Sequence, residues 1–99
     1  MNEFDVRQLN IMIQKINAFN NGYLELSNLI NDLEALLNIL TIQDQHWKDL
    51  FKGYWWDLEQ VYAVAIDEER SYLDSEDQSI IKNAVENIKK MVEIKLLSH

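Results

Sequence analysis

The chain has no cysteine, no proline and only two glycines in its 99 residues. Without cysteine there is no disulfide framework, no thiolate nucleophile and no zinc knuckle; a disulfide-stapled secreted scaffold is excluded, and a reducing cytoplasm is the expected compartment. Without proline, no residue removes an amide donor or locks φ inside a helix, so long helices are unopposed. Only Gly22 and Gly53 relax the backbone. Cations are scarce as well: nine Lys and Arg face seventeen Asp and Glu, a formal charge of -8. Such a surface repels nucleic-acid phosphates and anionic membranes and attracts basic surfaces, so the expected partner is a basic protein. Long apolar runs are also missing. The stretch from Leu33 to Ile42 is broken by Glu34 and Asn38 and is far short of the ~20 residues that cross a bilayer. The opening Met1-Asn2-Glu3-Phe4-Asp5 is acidic and lacks the basic and apolar regions of an export signal.

What remains is a globular composition, 47% hydrophobic and 26% charged, expected to fold as one helical domain over residues 1–99. In the first segment Leu9, Met12, Ile13, Ile16 and Phe19 recur at three- and four-residue spacing, and Asn20-Asn21-Gly22 follows as a left-handed stop, giving a helix over 3–20. After a short extended lead, Tyr23 to Leu26, Ser27 can cap a helix over 28–40 that carries Leu29, Ile30, Leu33, Leu36, Leu37 and Leu40 on one face. Asp44 can cap a long third helix with Trp47, Leu50, Phe51, Tyr54, Leu58, Val61, Tyr62 and Ala65 in register. The pattern lapses into charge from Asp67 to Asp74. Ser75 and Gln78 then have capping-box spacing for a fourth helix, whose apolar face is Ile80, Ile81, Ala84, Val85, Ile88, Met91 and Val92. Four amphipathic helices joined by short turns imply an all-α antiparallel four-helix bundle, since a short turn sends each helix back along its neighbour.

Signatures of chemistry are few. A carboxylate-bridged metal bundle needs inward glutamates and Glu-x-x-His pairs, and the chain has none. His46 and Asp49 have the spacing of a metal edge but supply two ligands where four are needed, and His99 stands alone at the C-terminus. No phosphate-binding glycine loop, nucleophile elbow or zinc-protease helix occurs. Asp67-Glu68-Glu69 or Glu76-Asp77 would serve as acid and base only inside a pocket that raises one pKa, and a solvated charge run is the plainer reading. No catalytic role, metal or cofactor is expected.

The aromatic cluster of the third helix is more distinctive. By the 100° step of a helix, Trp47, Phe51, Tyr54 and Tyr62 fall on the face centred on Leu58 and Ala65, with Trp55 on its flank. Trp56 points nearly opposite, among Asp49, Lys52, Gln60, Ala63 and Asp67. Two readings are open. Either the first helix or the 66–75 segment covers Trp56, or Trp56 is an aromatic anchor in an acidic surround, as at binding hot spots for a basic partner. Between Asp57 and Asp77 the acidic residues Asp57, Glu59, Asp67, Glu68, Glu69, Asp74, Glu76 and Asp77 face Arg70 alone. Asp67, Glu68 and Glu69 stand at a helix C-terminus, where the dipole disfavours anions; this points to use in binding, beside the alternative of a solvated loop. The candidate partner-binding residues are therefore Asp49, Trp56, Glu59, Asp67, Glu68, Glu69, Asp74, Glu76 and Asp77.

The segments Leu29 to Leu37, Trp47 to Trp56 and Leu58-Glu59-Gln60-Val61-Tyr62-Ala63-Val64-Ala65 together resemble the small helical immunity proteins of contact-dependent growth inhibition and related polymorphic toxin systems. The likeness spans residues 24–95, and the tryptophan-rich third helix with the Leu-Glu and Tyr-Ala that follow carries most of it. The resemblance implies a bacterial cytoplasmic protein that neutralises one cognate toxin domain, often a nuclease, by occluding its active site. Nucleases present basic clefts that an acidic protein fills with fast, steered association. The alternative is a helical adaptor or self-associating bundle, and a small enzyme is a third, weaker class.

Overall fold

The computed structural model describes every residue except Ser71 and His99. Among the described residues the chain forms four helices and no strand: α1 Glu3–Asn20, α2 Leu26–Ile39, α3 Gln45–Asp67 and α4 Ser75–Leu97. Each packs against its neighbours in sequence, and α1 also packs against α4, so the antiparallel helices close into a ring with α1 opposite α3. Among the described residues no helix is long and apolar enough to cross a membrane.

The ends of the helices explain their lengths. Asn2 caps α1 by accepting the Asp5 amide at 2.8 Å. The helix stops where Gly22, at φ +81, lets the Tyr23 amide donate to Ala18 O and the Gly22 amide to Phe19 O. Asp44 caps α3 by accepting the Trp47 amide at 3.0 Å, as its position suggested. Two caps differ from expectation. α2 starts at Leu26 with Glu25 at the cap and no side-chain cap bond; Ser27 lies inside the helix, because starting it two residues earlier packs Leu26 on the core. The capping box of α4 is Asp74 with Asp77, one residue ahead of Ser75 with Gln78. Carboxylates favour this register because they accept amides at the positive helix end more strongly than hydroxyl or amide groups do. Gly53 relaxes nothing, since α3 runs straight through it.

The core is a continuous apolar cluster with contributions from all four helices, and Leu9, Met12, Ile16, Leu29, Leu33, Phe51, Leu58, Ile88 and Val92 are fully buried. Two residues assigned to apolar faces lie outside it: Leu50 is 47% exposed and Ile80 38% exposed. The ring geometry buries a narrower arc of each helix than the apolar stripe covers. Polar ties fix the helices in register. The Trp55 indole donates to Ile30 O at 2.8 Å, joining α3 to α2. The Trp47 indole reaches Met91 O at 3.4 Å on α4, and Lys95 pairs with Asp44 at 3.0 Å while standing 5.6 Å from the Trp47 ring. At the same end Asp5, only 2% exposed, accepts the Thr41 amide at 2.8 Å and the Thr41 hydroxyl at 2.6 Å. That junction locks α1 to the turn between α2 and α3.

Candidate protein-binding face

The outward face of α3 is covered by no other helix. Trp56 is 54% exposed, its ring tilted 40° against Trp55 with centroids 6.3 Å apart. Neither cover considered for it is in place, because α1 packs on α2 and α4 and the segment after α3 leaves the indole open. Asp49, two turns before Trp56, and Asp67, three turns after it, lie on the same face. Both are exposed; the Asp49 carboxylate accepts the Gln45 side-chain amide at 2.8 Å. Lys52, Gly53, Glu59 and Gln60 stand one turn from Trp56 along α3, and no atom lies within 4 Å of where a Gly53 Cβ would stand. The indole is open to solvent with the exposed Lys52 one turn before it and the Asp49 and Asp67 carboxylates toward the two ends of the helix. Glu59 is half-buried at the edge of this face.

The acidic residues after Asp67 divide into two groups. Arg70 gathers three carboxylates: Nη1 lies 2.6 Å from Asp77 and 3.5 Å from Asp74, and Nε lies 2.8 Å from Glu68. The Nε contact with Glu68 is a contact of charge, off the N–H axis. The hydrogen bond from Arg70 is the main cause that holds the Asp77 carboxyl below its usual value; the same bond raises the guanidinium above its own. Asp74 and Asp77 also cap α4, so these two candidates are engaged in building the α3–α4 connection. Asp67, Glu69 and Glu76 are exposed and make no ion pair among the described residues. Glu69 holds the left-handed conformation at φ 53. Its amide donates to Ile66 O and the Arg70 amide to Ala65 O, the same closing pattern that Gly22 serves at the end of α1.

A general acid needs its pKa raised toward neutrality, whereas the resolved carboxyl shifts, at Asp44 and Asp77, run downward. The Trp47 amide is the main cause at Asp44 and Arg70 at Asp77. Among the described residues no group of three His, Asp or Glu side chains converges where a metal ion would sit. His46 is exposed at the start of α3, and His99 lies outside the described residues.

Periodicity gave no sign of one feature beside this face. At the end of the bundle where α3 stops and α4 begins, an open cavity of about 510 Å³ is lined by Leu26, Tyr62, Ala65, Ile66, Tyr72 and Leu73, with Glu25 and Arg70 among its polar neighbours. Its lining comes from α2, α3 and the segment leading into α4, which no single helical stripe foretells. No family model, curated protein or solved structure matches this chain significantly.

Proposed function

We propose that the protein is an immunity protein of the bacterial cytoplasm that binds and neutralises a basic toxin domain, most naturally a nuclease. The observation that carries this reading is Trp56, a 54% exposed indole on an uncovered helix face whose flanking charges are mainly carboxylates, in a chain of net charge -8. An exposed tryptophan costs solubility unless something binds it, and aromatic anchors ringed by charge dominate the energetics of tight interfaces. The acidic surround supplies electrostatic steering toward a basic cleft.

The test is co-expression and co-purification with the toxin domain encoded beside this chain, together with growth of cells that carry the toxin domain alone. The expected result is toxicity alone, rescue on co-expression, and a complex that Trp56→Ala weakens by about 2 kcal/mol or more, roughly thirty-fold. Absence of toxicity and of a complex refutes the reading.

A second reading, a helical adaptor or self-associating bundle, has its own support. Between α3 and α4 a groove is lined by Trp47, Leu50, Met91 and Ile94, and Leu50 is 47% and Ile94 59% exposed. A helix laid into that groove would bury both. Sedimentation equilibrium decides: a concentration-dependent dimer that Ile94→Asp disrupts favours this reading, and a monomer at all concentrations removes self-association.

A further inference from the structure

The cavity at the end of the bundle and the acidic residues around it are the strongest feature that the binding face on α3 does not use. Its wall is mainly apolar, and two of its large apolar residues are open to solvent, Ile66 at 55% and Tyr72 at 67%. Its volume, about 510 Å³, exceeds that of any one side chain. Among the described residues Arg70 is the one cation lining it, and Glu68, Asp74 and Asp77 already hold that guanidinium. A small-molecule site needs a few fixed polar groups directed at the ligand to orient it; here the strongest such group is occupied. Glu25 lines the cavity and Glu68, Asp74 and Asp77 stand on its Arg70, with Asp67, Glu69 and Glu76 next to these in the chain and Lys82 the nearest further cation, in the neighbouring hollow that shares Leu73 and Gln78. The apolar wall selects an apolar group, and the uncompensated charge selects a cationic setting for it.

We infer that this cavity receives a large apolar side chain presented within a cationic segment of the protein partner. The inference rests on the proposed function only in taking the partner to be a basic protein. The cavity is a second anchor point at the acidic end of the bundle, beyond Asp67 from the Trp56 indole. Two separated apolar anchors with carboxylates around them fix the orientation of a basic partner, which one anchor on a helix face leaves free.

The experiment uses the full chain and a blocked peptide of pattern Lys-Lys-Trp-Lys-Lys, followed by amide chemical shifts. The peptide is expected to move the amides of residues 62–66 and 72–78. Ile66→Arg and Tyr72→Lys should each weaken it by about tenfold, and Trp56→Ala by less than about twofold. Both cavity positions are exposed, and an arginine suits the last turn of a helix, so far-ultraviolet circular dichroism should find both variants folded. Three results overturn the inference: shifts confined to the Trp56 face or no shifts at all; equal shifts from the Glu-Glu-Trp-Glu-Glu peptide; and N-acetyltryptophanamide binding as tightly as the lysine peptide, which makes the cavity a small-molecule site. No toxin enters this assay. Failure here therefore leaves the immunity reading to its own co-purification test, and failure there leaves a cavity that still captures the lysine peptide.

Discussion

Glu69 occupies a conformation that its side chain opposes, and replacing it with glycine should stabilise the fold. At φ 53 the Cβ crowds the following carbonyl, at a cost of roughly 1–2 kcal/mol relative to glycine. Glycine gives back part of that gain through the greater freedom of the unfolded chain, about 0.4–1 kcal/mol. Removing an anion from the last carbonyls of α3 contributes about 0.3 kcal/mol more. The net expectation for Glu69→Gly is about 1 kcal/mol of stabilisation, which for a domain of this size raises Tm by about 4–8 °C. Glu69→Ala separates the two contributions: it removes the charge and keeps the strain, so it should move stability by only about 0.3 kcal/mol. Gly22→Ala, at φ +81, is the mirror experiment and should cost about 1 kcal/mol. Thermal melts and urea titrations by circular dichroism read all three variants. A Glu69→Gly protein no more stable than the parent, beside a destabilised Gly22→Ala, would refute the assignment of strain to Glu69.

Two further perturbations test the ties that hold the ring together. Asp5→Ala removes both bonds to Thr41 and should cost about 2–4 kcal/mol in urea unfolding, while Thr41→Val removes only the hydroxyl bond and should cost a smaller share of that; additive losses in the double variant would mean the two residues do not act together. Arg70 lowers the folded-state pKa of Asp77 below the ordinary 3.8, so the stability this pair confers is fully present above that value and is lost as the pH falls through the lowered one. Asp77→Asn should therefore flatten the acid limb of a stability-against-pH curve below pH 4 while lowering the plateau above it, and an unchanged acid limb would count against the pairing.

The helices were legible in the sequence because each carries its own apolar period, and three of the eight ends were marked by a residue with one dominant role: Gly22 after α1, Asp44 before α3 and the charge run after Asp67. The start of α2 was missed because the gain from packing Leu26 on distant residues outweighed a local cap at Ser27. The α4 box was displaced because Asp77 serves the helix and Arg70 together, and spacing alone does not reveal an ion pair across a turn. Leu50 and Ile80 matched the period of buried residues while lying at the edge of the buried arc, whose width depends on neighbours. Trp56 was legible as an outward residue from angle alone; its openness to solvent depended on which helix would lie opposite α3. The cavity, the Asp5–Thr41 junction and the Trp55–Ile30 bond bring together residues far apart in the chain, and no local pattern signals them.

The division among the acidic residues gives the sharpest test of what the charge is for. Asp5, Asp32, Asp44, Asp74 and Asp77 are each matched by a donor or cation within the fold; among the described residues Asp67, Glu69 and Glu76 have no such partner and sit together at one end of the bundle, while the other unmatched carboxylates, Glu3, Glu25, Glu34, Asp57, Glu59, Glu86 and Glu93, are spread along the chain. Self-repulsion there works against folding, and Glu69 adds backbone strain. Neutralising the second group with Asp67→Asn, Glu69→Gln and Glu76→Gln relieves the C-terminus of α3 and weakens the N-terminus of α4 by similar amounts, a few tenths of a kcal/mol each, so stability should change by less than about 0.5 kcal/mol. Neutralising the first group at Asp74→Ala and Asp77→Ala removes the α4 capping box and strands Arg70, which should cost about 2–3 kcal/mol. If the charge serves capture of a basic partner, the stable triple variant loses the partner and the steep salt dependence of its association rate, and the destabilised double variant retains more of both. The reverse pattern, with binding following stability and indifferent to the unmatched carboxylates, would assign that charge to solubility and leave Trp56 as the anchor.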